Sequence, residues 1–212
     1  MAAGARLAAA GLIVAAEGNL SARLGPYAIA ITPAGRRKDE LVPEDIVVVA
    51  IEPEPGEARR AVRPSSDLAI HRAVYTARPD VTAVAHAHLP ASLALTSAGV
   101  VPDPAILPET AAALPRLPYV PYREPGSPAL AAAVAAALSG SWAAGAVLLE
   151  RHGAVAVGRS IDEAVDRLEL VELLCRTWRD ALLIGGDPRR RHRGRCWPGA
   201  AARTPHPLRR RP

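Results

Sequence analysis

The chain has 212 residues, half of them hydrophobic, with three Trp, four Tyr and no Phe, which suits one domain with a core of Ala, Val, Leu and Ile. The net charge of +5 sits at one end: residues 189–212 carry nine Arg and no acid, leaving 17 basic and 21 acidic residues in a body that is not built to bind nucleic acid. Two cysteines, Cys175 and Cys196, are too few for a disulfide framework and fit a reducing cytoplasm, and no apolar run reaches the roughly 18 residues that span a membrane.

Residues 5–15 read as a buried helix, apolar on most sides. The run from 7 to 16 also resembles a short signal-peptide core. That alternative is set aside because the run leads into Glu17-Gly18-Asn19-Leu20-Ser21, which would lose its supporting helix. Leu20–Arg23 and Tyr27–Thr32 are predicted strands joined at Gly25-Pro26. Thr32-Pro33-Ala34-Gly35 is a turn, Pro43-Glu44-Asp45 a second, and Ile46–Ile51 a β-branched strand. Pro53–Arg63 reads as a charged surface loop or hairpin. Ser65 or Ser66 then caps a helix running to about Arg78, with Asp67 in its first turn.

Val81–His88 is a predicted strand and Pro90–Ala98 a helix. Residues 99–125 are Pro-rich and irregular, holding Tyr119–Pro121 as a short strand. Ser127 caps a helix to Leu138 with Pro128 at its first position. Ala146–Leu149 and Ala154–Val157 are strands flanking Glu150-Arg151-His152-Gly153. Ser160 and Glu163 form a capping box for a helix over 161–183. Elements mix without strict βαβ alternation, which predicts an α/β domain over 1–188 with one mixed or antiparallel sheet and flanking helices. The tail, 189–212, lacks apolar periodicity and reads as disordered; contact with nucleic acid or an acidic surface is the alternative.

His86 and His88 stand at i, i+2 and share one strand face. Alone, such a pair is more often core or surface than ligand. With His152 beside Gly153 it makes a three-imidazole set of the kind that binds catalytic zinc and leaves a position open. Asp67 precedes His71 by one helical turn. It reads either as a helix-dipole acid with an i, i+4 partner or as a general acid/base oriented by His71. Ser65, Ser66, Asn19 and Gly35 fit ordinary capping and turn roles, or a convergent set of anion-binding donors.

In chain order the motifs are Gly18-Asn19-Leu20-Ser21-x-Arg23, Ile31-Thr32-Pro33-x-Gly35, Pro64-Ser65-Ser66-Asp67-x-x-x-His71, His86-x-His88 and His152-Gly153. This series resembles the class II aldolase/adducin family, with likeness to fuculose-phosphate-aldolase-like members over about Gly18 to Leu183. The resemblance implies a three-layer α/β/α fold with a central mixed, mainly antiparallel sheet, and a homotetramer with active sites between subunits. It implies Zn²⁺ or another divalent metal on His86, His88 and His152, Asp67 as the proton-exchanging carboxylate, and Asn19, Gly35, Ser65 and Ser66 around substrate phosphate. His71 and Glu109 are accessory candidates. Where the aldolase pattern has Glu this chain has Asp67, as in ribulose-phosphate 4-epimerases. Ala16 and Ala34 stand where Thr or Ser is common. Pro108 stands near the family's catalytic tyrosine, so leaving-group protonation falls to Glu109 or Tyr119.

The function implied is zinc-dependent retro-aldol cleavage of a ketose phosphate to an aldehyde and a dihydroxyacetone-phosphate-type fragment. The enzymic alternatives are a pentulose-phosphate 4-epimerase and a thio-sugar-phosphate dehydratase. The non-enzymic alternative is a binding or scaffold protein on the same fold.

Overall fold

In the computed structural model, residues 2–53, 62–139 and 144–188 are described. The expected tail, 189–212, lies outside them, as do Cys196 and most of the loop expected over Pro53–Arg63. The element order is α1 (Ala2–Ala9), β1 (Asn19–Arg23), β2 (Ala28–Ile31), β3 (Val47–Ala50), α2 (Leu68–Ala77), β4 (Ala83–Ala87), α3 (Pro90–Ser97), α4 (Pro108–Ala113), β5 (Tyr119–Val120), α5 (Pro128–Leu138), β6 (Ala146–Leu149), β7 (Gly153–Gly158) and α6 (Ile161–Leu183). The strands form one open sheet in the order β3-β2-β1-β4-β7-β6-β5. Every neighbouring pair is antiparallel except β5–β6. This is the mixed, mainly antiparallel sheet the sequence predicts.

Strand alternation makes the three layers. Ala83, Ala85 and Ala87 of β4, with Ala154 and Ala156 of β7, face a cluster that holds Leu7 of α1, Leu95 of α3, and Leu168, Val171 and Trp178 of α6. The small strand side chains leave room for the bulk that α6 brings. Val84, Val147, Val155 and Val157 turn the other way, onto Ile70, Val74 and Tyr75 of α2 and Leu130, Val134 and Leu138 of α5.

Several elements depart from the pattern read along the chain. The first helix ends at Ala9 instead of near 15, because Gly11 takes φ +66° and closes a Schellman motif (Gly11 N–H to Ala8 O, Leu12 N–H to Leu7 O). Asp67 occupies the cap position of α2 rather than its first turn. Neither serine caps the helix as expected; Ser65 Oγ accepts from Asp67 N–H at 3.3 Å. The Pro-rich stretch hides α4, since Pro108 starts a helix where a proline read as a breaker. The capping box at α6 is half formed: Ser160 Oγ accepts from Glu163 N–H, while the Glu163 carboxylate turns to Arg159 N–H.

Two features hold the region between β4 and β7. Glu172 of α6 is 2% exposed, and its two carboxylate oxygens accept from Ala91 N–H at 3.1 Å. It thereby caps α3, which begins two residues after His88. Gly153 has φ +101°, and a Cβ there would lie 2.1 Å from the Ala87 carbonyl. Gly153→Ala therefore adds left-handed strain to a backbone clash and should cost about 3 kcal/mol or more of unfolding free energy. Urea denaturation checks it; a loss under about 1 kcal/mol would show that the turn can give way.

Candidate metal centre

His86 lies on the most interior strand, between Asn19 of β1 and Val155 of β7, and is fully buried. His88 follows as β4 ends. His152 comes from the tight turn between β6 and β7, where Arg151 takes φ +54° ahead of Gly153. That left-handed turn brings the third ring to the other two. The ring centroids are 4.8 to 5.0 Å apart, and one nitrogen from each comes within 4.8 Å of the others.

The hydrogen bonds of His86 decide its tautomer. Nδ1 lies 2.9 Å from the Ala154 carbonyl and must be the protonated nitrogen, because a carbonyl only accepts. Nε2 then carries a lone pair, is buried, and has no hydrogen-bond partner among the described residues; His152 Nδ1 is likewise buried without one. Leaving such atoms unmet costs on the order of 1–3 kcal/mol each. Burial lowers the His86 pKa to about 3 and pushes that of His152 down too, the charge of Asp67 opposing both. Both rings stay neutral at neutral pH, the state a metal requires. Three imidazoles with converging nitrogens, those of His86 and His152 buried and without a hydrogen-bond partner among the described residues, fit a divalent transition-metal ion.

Asp67 stands beside this group, its Oδ2 3.8 Å from His86 Nε2. Burial favours its protonated form, but a hydrogen bond from Asn19 helps to hold its pKa below the usual carboxylate value. Asn19 Nδ2 donates to Asp67 Oδ2 at 2.8 Å, while Asn19 Oδ1 faces His71 Nε2. His71 Nδ1 meets Ser21 Oγ at 2.6 Å, and Ser21 Oγ meets Tyr75 Oη. A buried polar chain thus runs from Asp67 to Tyr75. His71 orients Asp67 only through Asn19, and Asn19 commits its carbonyl and one amide hydrogen inward.

A cavity of about 570 Å³ opens over these groups. Asp67, His88 and His152 line it together with all four expected substrate contacts, Asn19, Gly35, Ser65 and Ser66. Ala16 and Ala34 line it too, offering methyls where hydroxyls were looked for. Glu109 is exposed on α4, and neither it nor Tyr119 lines this cavity. The sequence reading gave no site role to Lys38 or Arg151, which also line the cavity. For Lys38 a signal was present, since it is the single lysine among 26 basic residues.

The description "Class II Aldolase and Adducin N-terminal domain" belongs to a family model that matches residues 1–179. The chain is 35% identical to a 3-oxo-tetronate 4-phosphate decarboxylase of Cupriavidus necator, over 82% of this chain and 79% of that protein. It is 36% identical to a 5-methylthioribulose-1-phosphate/5-deoxyribulose-1-phosphate aldolase of Rhodospirillum rubrum, covering 80% and 74%. The crystal structure of L-fuculose-1-phosphate aldolase from Thermus thermophilus superposes with a TM-score of 0.75 at 29% identity, over 86% of this chain and 92% of that one.

The buried His71 makes stability depend on pH. Burial lowers its pKa from 6.5 to about 4, partly offset by Asp67. Unfolded chains take up the proton near pH 6.5 and the folded protein does so only near 4. The stability is therefore complete above pH 6.5 and falls by up to about 1.4 kcal/mol per pH unit below it. Metal-free protein should be less stable at pH 5 than at pH 7 by about 2 kcal/mol or more, read from urea midpoints after chelation. Equal midpoints would mean that His71 is protonated in the folded state.

Proposed function

The chain belongs to the class II aldolase and adducin family, and from that premise we propose that it is a zinc-dependent aldolase cleaving a small ketose phosphate by retro-aldol chemistry. The observation that carries this reading is the unpartnered Nε2 of His86, set between two further imidazoles and 3.8 Å from the Asp67 carboxylate. His86, His88 and His152 would hold the ion. When bound, Zn²⁺ supplies Lewis-acid stabilisation of negative charge developing on substrate oxygens.

The chain's own residues do the rest. The Ser65 and Ser66 hydroxyls and the open backbone at Gly35 would grip the phosphate. Breaking the C–C bond leaves an electron pair on the carbon beside the carbonyl; Asp67, ionised at rest, would take up a proton from water in the cavity and pass it to that carbon. Asn19 fixes the carboxylate, with His71 behind it. Transfer of the hydroxyl proton is assigned to Glu109 or Tyr119 from an adjoining copy, in the homotetramer with inter-subunit sites that the reading includes. The exposed Leu24, Tyr27 and Val48 on and near the β2–β3 side of the sheet support such an assembly.

Decarboxylation is the second reading. Arg151 lines the cavity next to His152 with its side chain 54% exposed, a cation suited to a substrate carboxylate. Loss of CO₂ from a 3-oxo acid leaves the same electron pair as retro-aldol cleavage. Epimerisation, to which Asp67 in place of Glu points, adds the aldehyde back from its other face. Dehydration is a further outcome on the same fold.

Asp67→Asn should keep its zinc and lose about 10²- to 10⁴-fold in turnover, measured on ketose 1-phosphates and 3-oxo-acid phosphates. Unchanged turnover would remove Asp67 from the chemistry. Scoring the panel separately for aldehyde, CO₂, epimer and water loss should give aldehyde as the main product. Carbon dioxide alone would establish the decarboxylase instead.

A further inference from the structure

Lys38 is a buried cation at the edge of an open cavity, with no acidic partner among the described residues. It is 2% exposed. Its ammonium donates to the carbonyls of Ala16 and Arg36, each at 2.7 Å. Among the described residues no carboxylate pairs with it, and burial, which lowers its pKa, acts unopposed. An ammonium has three N–H donors, so one is left over. Ala16, Ala34, Gly35 and Lys38 all line the cavity, with Ser65 and Ser66.

The position of Lys38 is built rather than incidental. Gly4 of α1 packs against it so closely that a Cβ on Gly4 would lie 2.2 Å from the Lys38 carbonyl oxygen. The helix therefore holds Lys38 in place from behind. Composition adds an independent argument. The chain uses Arg at 25 of its 26 basic positions; where only a surface charge is needed, it uses Arg. A compact ammonium held by two carbonyls is a geometry that the wider, planar guanidinium does not reproduce.

A loop tie alone does not account for this arrangement. A neutral amide could bridge two carbonyls without the desolvation cost of a buried charge, and an uncompensated buried charge is among the most costly groups a fold can hold. An anion bound in the adjoining cavity would compensate it. We infer that Lys38 is the cation that receives the substrate's phosphate, supplying the charge in a cavity where Ala16 and Ala34 contribute only methyls. This inference deepens the proposal that the cavity binds a sugar phosphate and rests on it for the substrate class.

Because Lys38 is the only lysine, the test needs no substitution to isolate it. Zinc-loaded protein labelled with ¹³C,¹⁵N-lysine should give one lysine side-chain signal. Titrating inorganic phosphate should move that signal to saturation, with the dissociation constant that calorimetry reports. Lys38→Gln, whose amide can still meet the two carbonyls, should weaken phosphate by about 10- to 100-fold with metal content unchanged. The inference is overturned if phosphate binds while the lysine signal stays still, if Lys38→Gln binds phosphate as the wild type does, or if the wild type binds none. Should Lys38→Gln fail to fold, the wild-type titration decides alone. The titration involves no turnover, so loss of the aldolase reading through the substrate panel leaves this result standing, and the reverse also holds.

Discussion

Everything in this molecule turns on a neutral imidazole buried at the centre of its sheet. His86 cannot take a proton without losing solvation that nothing restores, and burial draws its pKa to about 3. Its Nδ1 is committed to the Ala154 carbonyl across the β4–β7 ladder. Its Nε2 must then point, unprotonated and unpartnered, at His88 and His152. The fold leaves a buried lone pair here, and a cation bound in that space would offset its cost. The left-handed turn at Arg151 and the close approach of Gly153 to Ala87 follow from the need to bring the third ring to the same point.

Around that centre the charges are sorted by distance. Asp67 is next to it, its carboxylate form favoured by the hydrogen bond from Asn19 against the effect of its own burial. Behind Asn19, the chain through His71 and Ser21 to Tyr75 contains no second carboxylate; Glu17 stands instead at His88, its Oε1 3.5 Å from Nδ1. Lys38 and Arg151 add two cations to the lining of the same cavity, which Glu17 also lines. A substrate carrying a phosphate and an oxygenated carbon skeleton would find cations at its anionic groups and a carboxylate at its reacting carbon. That sorting separates the cavity from a simple zinc-structural site, which would have no use for Asp67.

Much of this was legible along the chain, for identifiable reasons. Period-two alternation paired His86 with His88, although His88 lies just past the end of β4 at Ala87, and Gly153 marked the turn that delivers His152. The sheet with helices on both sides followed from the order of the elements and from the family resemblance. What was not legible depends on partners far away in sequence. Nothing local to Asn19 says that its amide crosses 48 residues to Asp67 instead of facing a substrate. Glu172 reads as one more acid on a long helix, yet it caps α3 from 81 residues away. Helix α4 was hidden because the residue type that breaks a helix also starts one. Lys38 was lost in a count that pooled it with 25 arginines.

The central claim is that three histidines from two separate loops and strands hold one divalent ion. Anomalous diffraction from crystals of the protein as purified, collected on both sides of the zinc absorption edge, tests it most directly. The account predicts one peak per chain, within about 2.0–2.1 Å of a nitrogen from each of His86, His88 and His152, with its fourth position turned to the cavity beside Asp67. A chain with no peak there, or a zinc ion bound by other side chains while these three rings remain unligated, would contradict it.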